Sequence, residues 1–268
     1  MDDDSTVPVS PRHTVRLARE YETLVRKPQR RDFVVRTITR REAHGVPLMS
    51  AEIVIAGEDT RAEFPLARDY PLHFRKTYFP GRLHGDPKDE FDRQTRASEI
   101  IGIPPPIGHA PTVFRTCLLP GVPYSTLSPF AAEPEEANIP KARNLPLAEA
   151  AGLWQLAESA FRQITTMHAA GLSHGDTELH NFVVCASPLE ILPIDFEGAA
   201  ERTGMDDDSW SYRVKKDTAP LLKQAVLLEC ALGAQTGPFA ELAHERMKEL
   251  FRDGDRFQRE IERRSDLD

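Results

Sequence analysis

Seven positions, Leu147, Ala151, Trp154, Ala157, Phe161, Ile164 and His168, recur at spacings of three or four residues and are followed by Gly171. That period places them on one face of an α-helix, with the glycine suited to the left-handed stop, so a long amphipathic helix is predicted over 147–168. Such a helix needs a partner layer, which fixes a packed second half for the chain.

The first half has a different texture. Phe33–Ile38, Ala51–Ala56 and Leu72–Phe79 are rich in β-branched and aromatic residues and predict three strands of a small antiparallel sheet. A punctuated helix follows, in which Asp86 can cap, Pro87 suits the first helical position, Asp89 favours the positive end and Gly102 can stop it. Thr112–Leu119 reads as a connecting strand ending at Pro120 and Gly121, and residues 128–146, rich in Pro, Glu and Asn, read as a linker or insertion. After the long helix, Phe182–Cys185 and Ile191–Ile194 flank a Ser-Pro turn, and helices are predicted over Pro220–Leu232 and Phe239–Phe251. No internal repeat is visible.

The expected organisation is a mobile tail at 1–12, a sheet lobe with one helix at 13–119, a hinge and flexible insertion at 120–146, and a mainly helical lobe at 147–268. With 268 residues and 40% hydrophobic content the chain can bury a sizeable core. The formal charge of −8, from 42 acidic and 34 basic residues, opposes nucleic acid and anionic membrane as partners, although Arg30, Arg31, Arg40 and Arg41 could form a local basic patch. Cys117, Cys185 and Cys230 are odd in number and lack metal-ligand spacing, which argues against disulfides and zinc and for a reducing cytoplasm. The acidic start and the lack of a long apolar run predict a soluble chain without a secretory signal.

The chemistry concentrates in His174-Gly175-Asp176-Thr177-Glu178-Leu179-His180-Asn181, followed by an apolar strand, a turn and Ile194-Asp195-Phe196-Glu197-Gly198. This resembles the protein-kinase-like superfamily, in which an H-x-D motif is followed five residues later by Asn and, after a short hairpin, by a D-F-G or D-F-E triplet. The resemblance covers roughly residues 33–235 and is densest at 174–198. It implies a two-lobed α+β fold and an ATP- and Mg2+-dependent transfer of phosphate to a hydroxyl on a protein or a small molecule. Phosphoryl transfer needs an oriented acceptor oxygen and cations that absorb phosphate charge. By the resemblance, Asp176 would orient the acceptor proton, Asn181 would hold one magnesium ion, and Asp195 would bridge magnesium to the nucleotide.

Further upstream, Lys76 occupies the third strand, where the family places the lysine that contacts the α- and β-phosphates. Glu90, Gln94 and Glu99 compete for the acid that pairs with it; counting back from Pro104 favours Gln94, with Glu90 one turn earlier. Cys117-Leu118-Leu119-Pro120-Gly121 matches the hinge, whose backbone and Leu118 would border adenine. Asp217 stands where the family keeps an acid that braces the catalytic loop, and it is expected to open a helix.

Several family features are missing. One glycine, Gly45, stands where a Gly-rich phosphate loop would be, and Gly175 replaces the arginine of the H-R-D form, as in atypical protein kinases and the aminoglycoside and choline phosphotransferases. Glu178 stands where protein kinases carry a lysine, and no A-P-E sequence lies between Asp195 and Asp217. Asp206, Asp207 and Asp208 read as a solvated acidic loop, which could also attract a cationic substrate or regulator near the cleft. The 100 residues from Lys76 to Asp176 favour an atypical Ser/Thr protein kinase; the H-G-D and D-F-E forms favour a small-molecule kinase; the missing glycine loop, Glu178 and Gln94 favour a pseudokinase acting as a binding module.

Overall fold

The computed structural model describes residues 19–43, 46–79, 86–130, 141–186, 188–233 and 241–242. The tail expected at 1–12, the middle of the 128–146 insertion and nearly all of the helix expected over 239–251 lie outside the described residues.

The first lobe is a five-stranded antiparallel sheet of order β1-β2-β3-β5-β4, formed by Phe33–Ala43, Val46–Ile55, Leu72–Tyr78, Pro106–Ala110 and Val113–Cys117 in chain order. Three of these strands match the expected β-branched runs. Strand β4 is absent from the sequence-based expectation, because it begins at the end of a three-proline run that reads as a breaker. Across one face lies the helix Pro87–Ile101, capped as predicted: the Asp86 carboxylate accepts from Lys88 N at 2.8 Å, and Gly102 ends it at φ 72° with its N–H donating to the Ser98 carbonyl.

The opposite face carries a closed charge network. Asp32, just before β1, accepts from Gly57 N (3.0 Å), Thr60 Oγ1 (2.7 Å), Arg75 Nη1 (2.9 Å) and Arg115 Nη2 (2.7 Å), and Glu52 accepts from Arg75 Nη2 at 2.6 Å. Arg75 and Arg115 face each other across β3 and β5, so without Asp32 and Glu52 two like charges would be juxtaposed. Two short helices, Glu58–Glu63 and Leu66–Asp69, cover this face, with Phe64 under the Arg115 guanidinium and packed where a Gly108 side chain would stand. His73 is buried beside Arg115 Nη1 at 2.9 Å, and burial first, then that cation, lowers its pKa to about 4.

The second lobe is built on the helix Leu147–Ala169 packed against the helix Asp207–Leu232. Trp154, Ala157, Phe161 and Ile164 of the predicted stripe are buried, but Leu147, in the first turn, is 66% exposed; Leu153 and Met167 complete the buried face instead. Gly171 takes the left-handed conformation expected of it, at φ 78°. The helix expected to begin at Pro220 begins thirteen residues earlier and runs through that proline. Its start is hidden in the acidic triplet: Asp206 accepts from Ser209 N at 2.7 Å as the N-cap, and Asp207 and Asp208 occupy the first turn. Short antiparallel pairs, Gly121–Pro123 with Phe182–Ala186 and Leu189–Pro193, and Leu172–Ser173 with Ala200–Glu201, fix the loops between the helices. The ends of the expected insertion are anchored, since Ser128, Phe130 and Ala142 are buried. The two-lobed α+β architecture is therefore the one the sequence implied.

Candidate active site

Alternation along β3 turns Phe74, Lys76 and Tyr78 toward the helix Pro87–Ile101 and sends Arg75 to the other face. The buried Lys76 Nζ donates to Glu90 Oε1 at 2.7 Å and to Asp195 Oδ1 at 2.6 Å, with Glu197 Oε2 at 3.7 Å. Burial opposes a charge on this amine, but Glu90 and Asp195 outweigh it and hold the Lys76 pKa above its ordinary value. Burial likewise opposes charge on Asp195, and Lys76 reverses this, keeping the carboxylate below its usual range.

The partner of Lys76 is thus Glu90 and not Gln94. Gln94 Nε2 instead donates to the Pro104 carbonyl (3.3 Å) and Thr116 Oγ1 (2.6 Å), tying the later part of the helix to β5. Counting from Pro104 lands on the residue that touches Pro104; Lys76 reaches the helix one turn earlier. Glu99 makes an exposed ion pair with Arg96.

The loop from His174 to Glu178, which leads into the 3-10 turn Leu179–Asn181, has no regular structure and is held by side chains. Asp217, in the middle of its helix and not at its start, accepts from His174 N (2.7 Å), Gly175 N (2.8 Å) and His168 Nε2 (2.9 Å), while its carbonyl accepts from Thr177 Oγ1 at 2.6 Å. His174 Nε2 donates to the Ile194 carbonyl at 3.0 Å, and its Nδ1 accepts from Asp176 N at 3.3 Å. These roles assign the neutral Nε2–H tautomer, in keeping with the pKa that burial pushes down. Asn181 Nδ2 donates to the Asp176 carbonyl at 3.2 Å, and its own carbonyl accepts from Ile194 N at 2.8 Å. The stretches around Asp176, Asn181 and Asp195 are therefore knitted into one unit, with Asp176 and Glu178 exposed on its surface.

Two backbone features complete the geometry. Asp195 has φ 66°, the one positive φ outside glycine among the described residues, and such strain persists only where the surroundings impose it. Gly175, at φ 87°, lies so close to the next turn that a Cβ would stand 2.0 Å from the Gly198 carbonyl oxygen. That contact, with the positive φ, explains why this position is glycine. Arg93 Nη1 donates to the Glu197 carbonyl at 2.8 Å, so the sheet-lobe helix grips the Asp195–Gly198 turn directly.

Leu118 lies in the link between β5 and Gly121–Pro123, half-buried, at the place expected of the hinge. Tyr78, Arg93 and His168 do not stand out in the sequence as site residues, and Glu197 is visible only as a member of the Asp195-Phe196-Glu197 triplet. Of the first three, Tyr78 alone carries a signal, two residues from Lys76 and so on the same face of β3.

No protein-family model matches the chain, and no curated protein matches it. Among solved structures, it is similar to the kinase domain of Mycobacterium tuberculosis PknI, in a cysteine-to-alanine mutant, at 17% identity over 76% of each chain with a TM-score of 0.41. No helix among the described residues is long and apolar enough to cross a membrane. The sheet lobe with one helix laid across it, joined to a helical lobe carrying short strand pairs, is a two-lobed α+β fold.

Proposed function

We propose that this chain is an ATP- and magnesium-dependent phosphotransferase acting on a hydroxyl. The observation that carries the reading is Lys76, buried between Glu90 and Asp195 at 2.7 and 2.6 Å, with the Asp195 turn tied to the loop bearing Asp176 and Asn181 through Ile194 N on the Asn181 carbonyl. In this reading Lys76 binds the nucleotide phosphates, Asp176 orients the acceptor hydroxyl and takes up its proton, and Leu118 borders the base. Asp195, kept ionised, and Asn181, whose amide nitrogen is engaged while an oxygen acceptor remains, suit a hard cation that keeps phosphate and water among its ligands. Magnesium bound there would offset charge on the phosphates.

The acceptor class has support on two sides. The spacing from Lys76 to Asp176 favours an atypical Ser/Thr protein kinase. The short path from Gly198 to the helix at Asp207, with two residues of strand between, leaves little chain for docking a peptide and favours a small-molecule acceptor. A binding module without transfer is the remaining reading.

The test is transfer from γ-labelled ATP into a lysate separated into macromolecular and small-molecule pools. Asp176→Ala is expected to lower transfer by about a hundredfold or more while leaving Mg·ADP affinity nearly unchanged. Asp195→Ala is expected to weaken Mg·ADP binding itself. Label in protein supports the protein kinase, label in a small molecule supports the rival, and equal transfer by all three proteins would sink the site assignment.

A further inference from the structure

We propose that Tyr78 is a positioning residue of this site, holding the Glu90 carboxylate in place so that Lys76 can turn to the nucleotide phosphates. The inference rests on the nucleotide-binding reading above and adds a residue that the resemblance does not supply.

Both oxygens of Glu90, which is 1% exposed, are occupied: Oε1 accepts from Lys76 Nζ at 2.7 Å and Oε2 accepts from the Tyr78 hydroxyl at 2.5 Å. Lys76 and Tyr78 stand two residues apart on one face of β3, so a single strand presents both donors to one carboxylate. Burial and the neighbouring Glu90 charge push the phenol pKa up, so the hydroxyl stays a donor. The ring is anchored independently, among Met49, Ala51 and Phe114.

Without nucleotide, Lys76 is shared between Glu90 and Asp195. Once Asp195 turns to a cation and Lys76 to phosphate, Lys76 keeps one protein acceptor, Glu90. A buried carboxylate with one oxygen unpaired is costly, and it would rotate or bind Lys76 through both oxygens. The Tyr78 hydroxyl prevents this by engaging Oε2 whatever Lys76 is doing. Arg93, on the same helix, fixes the helix against the Glu197 carbonyl, which leaves the rotamer of Glu90 as the degree of freedom Tyr78 controls.

The experiment is a double-variant cycle on Mg·ADP affinity, measured by calorimetry on the full chain for wild type, Tyr78→Phe, Glu90→Gln and both together. Tyr78→Phe keeps the ring packing, and thermal melts verify that each variant is folded. Loss of a hydrogen bond to a charged group is expected to weaken Mg·ADP binding about tenfold in the wild-type background. In the Glu90→Gln background the same substitution is expected to change affinity less than about twofold, since the charged acceptor through which it acts has been replaced by a neutral amide that binds Lys76 more weakly. A similar loss in both backgrounds, or no loss in wild type, overturns the proposal and leaves the nucleotide reading intact. Failure of folded wild type to bind Mg·ADP removes that reading, and the role of Tyr78 with it.

Discussion

Replacing Gly175 with alanine would test whether the loop from His174 to Asn181 and the Asp195–Gly198 turn are one rigid piece. Gly175 sits at φ 87°, which costs an alanine roughly 1–2 kcal/mol from backbone strain alone. Its Cβ would lie 2.0 Å from the Gly198 oxygen and 2.4 Å from the Gly198 carbon, so one segment must move by an ångström or more. That movement would strain Arg93 on the Glu197 carbonyl and Lys76 on Asp195, adding on the order of 2 kcal/mol. Gly204 is an internal control, with φ 84° and nothing within 4 Å of an added Cβ. Urea denaturation is expected to show a loss of about 3–4 kcal/mol for Gly175→Ala against about 1–2 kcal/mol for Gly204→Ala, the difference being the packing term. Mg·ADP affinity should fall for the first variant and stay unchanged for the second. Equal stabilities for the two variants, with unaltered nucleotide binding, would refute the rigid contact.

Two further outcomes follow from buried groups. Asp217→Asn keeps the shape but supplies one acceptor oxygen where two are in use, leaving a backbone N–H of His174 or Gly175 against an amide N–H; unfolding in urea should register a loss of roughly 3 kcal/mol, and a loss under about 0.5 kcal/mol would contradict the bracing role. His73 is held neutral with a pKa of about 4 against 6.5 in the unfolded chain, so the unfolded state binds the extra proton between those values. Stability is therefore full above pH 6.5 and falls by about 3 kcal/mol as pH drops to 4, with Asp32, lowered to about 2, adding to the fall at still lower pH. Urea midpoints across that range, compared with His73→Leu, check the sign: the variant should flatten the slope.

The features that can be read from sequence are those whose signal is local and chemical. Asp86, Pro87 and Gly102 delimit a helix by side-chain and backbone preferences that act within a few residues, and the ordered polar set from His174 to Asp195 has few other reasons to exist. What cannot be read depends on partners distant along the chain. The helix Glu58–Glu63 has four charged residues in six and no apolar stripe; it is held by Asp32, twenty-eight residues before Thr60. The choice between Glu90 and Gln94 turns on where Lys76 crosses the helix, which no count along one chain segment fixes. The acidic triplet at 206–208 is legible as charge but not as a helix start, because the proline at 220 suggests a later one.

Asp32 also bears on how far the sheet lobe can be shortened. It lies one residue ahead of β1, outside every strand, at the position where a boundary drawn by secondary structure would cut. A chain trimmed there would keep all five strands intact but strip the common acceptor from Gly57 N, Thr60 Oγ1, Arg75 and Arg115. The excision would leave Arg115 without its carboxylate, beside an Arg75 held only by Glu52, beneath a cover that had lost its anchor. Arg61 Nη2, which donates to the Val25 carbonyl at 3.0 Å, extends the dependence further upstream. A sheet lobe that keeps this network and its cover intact therefore includes Val25, well ahead of its first strand.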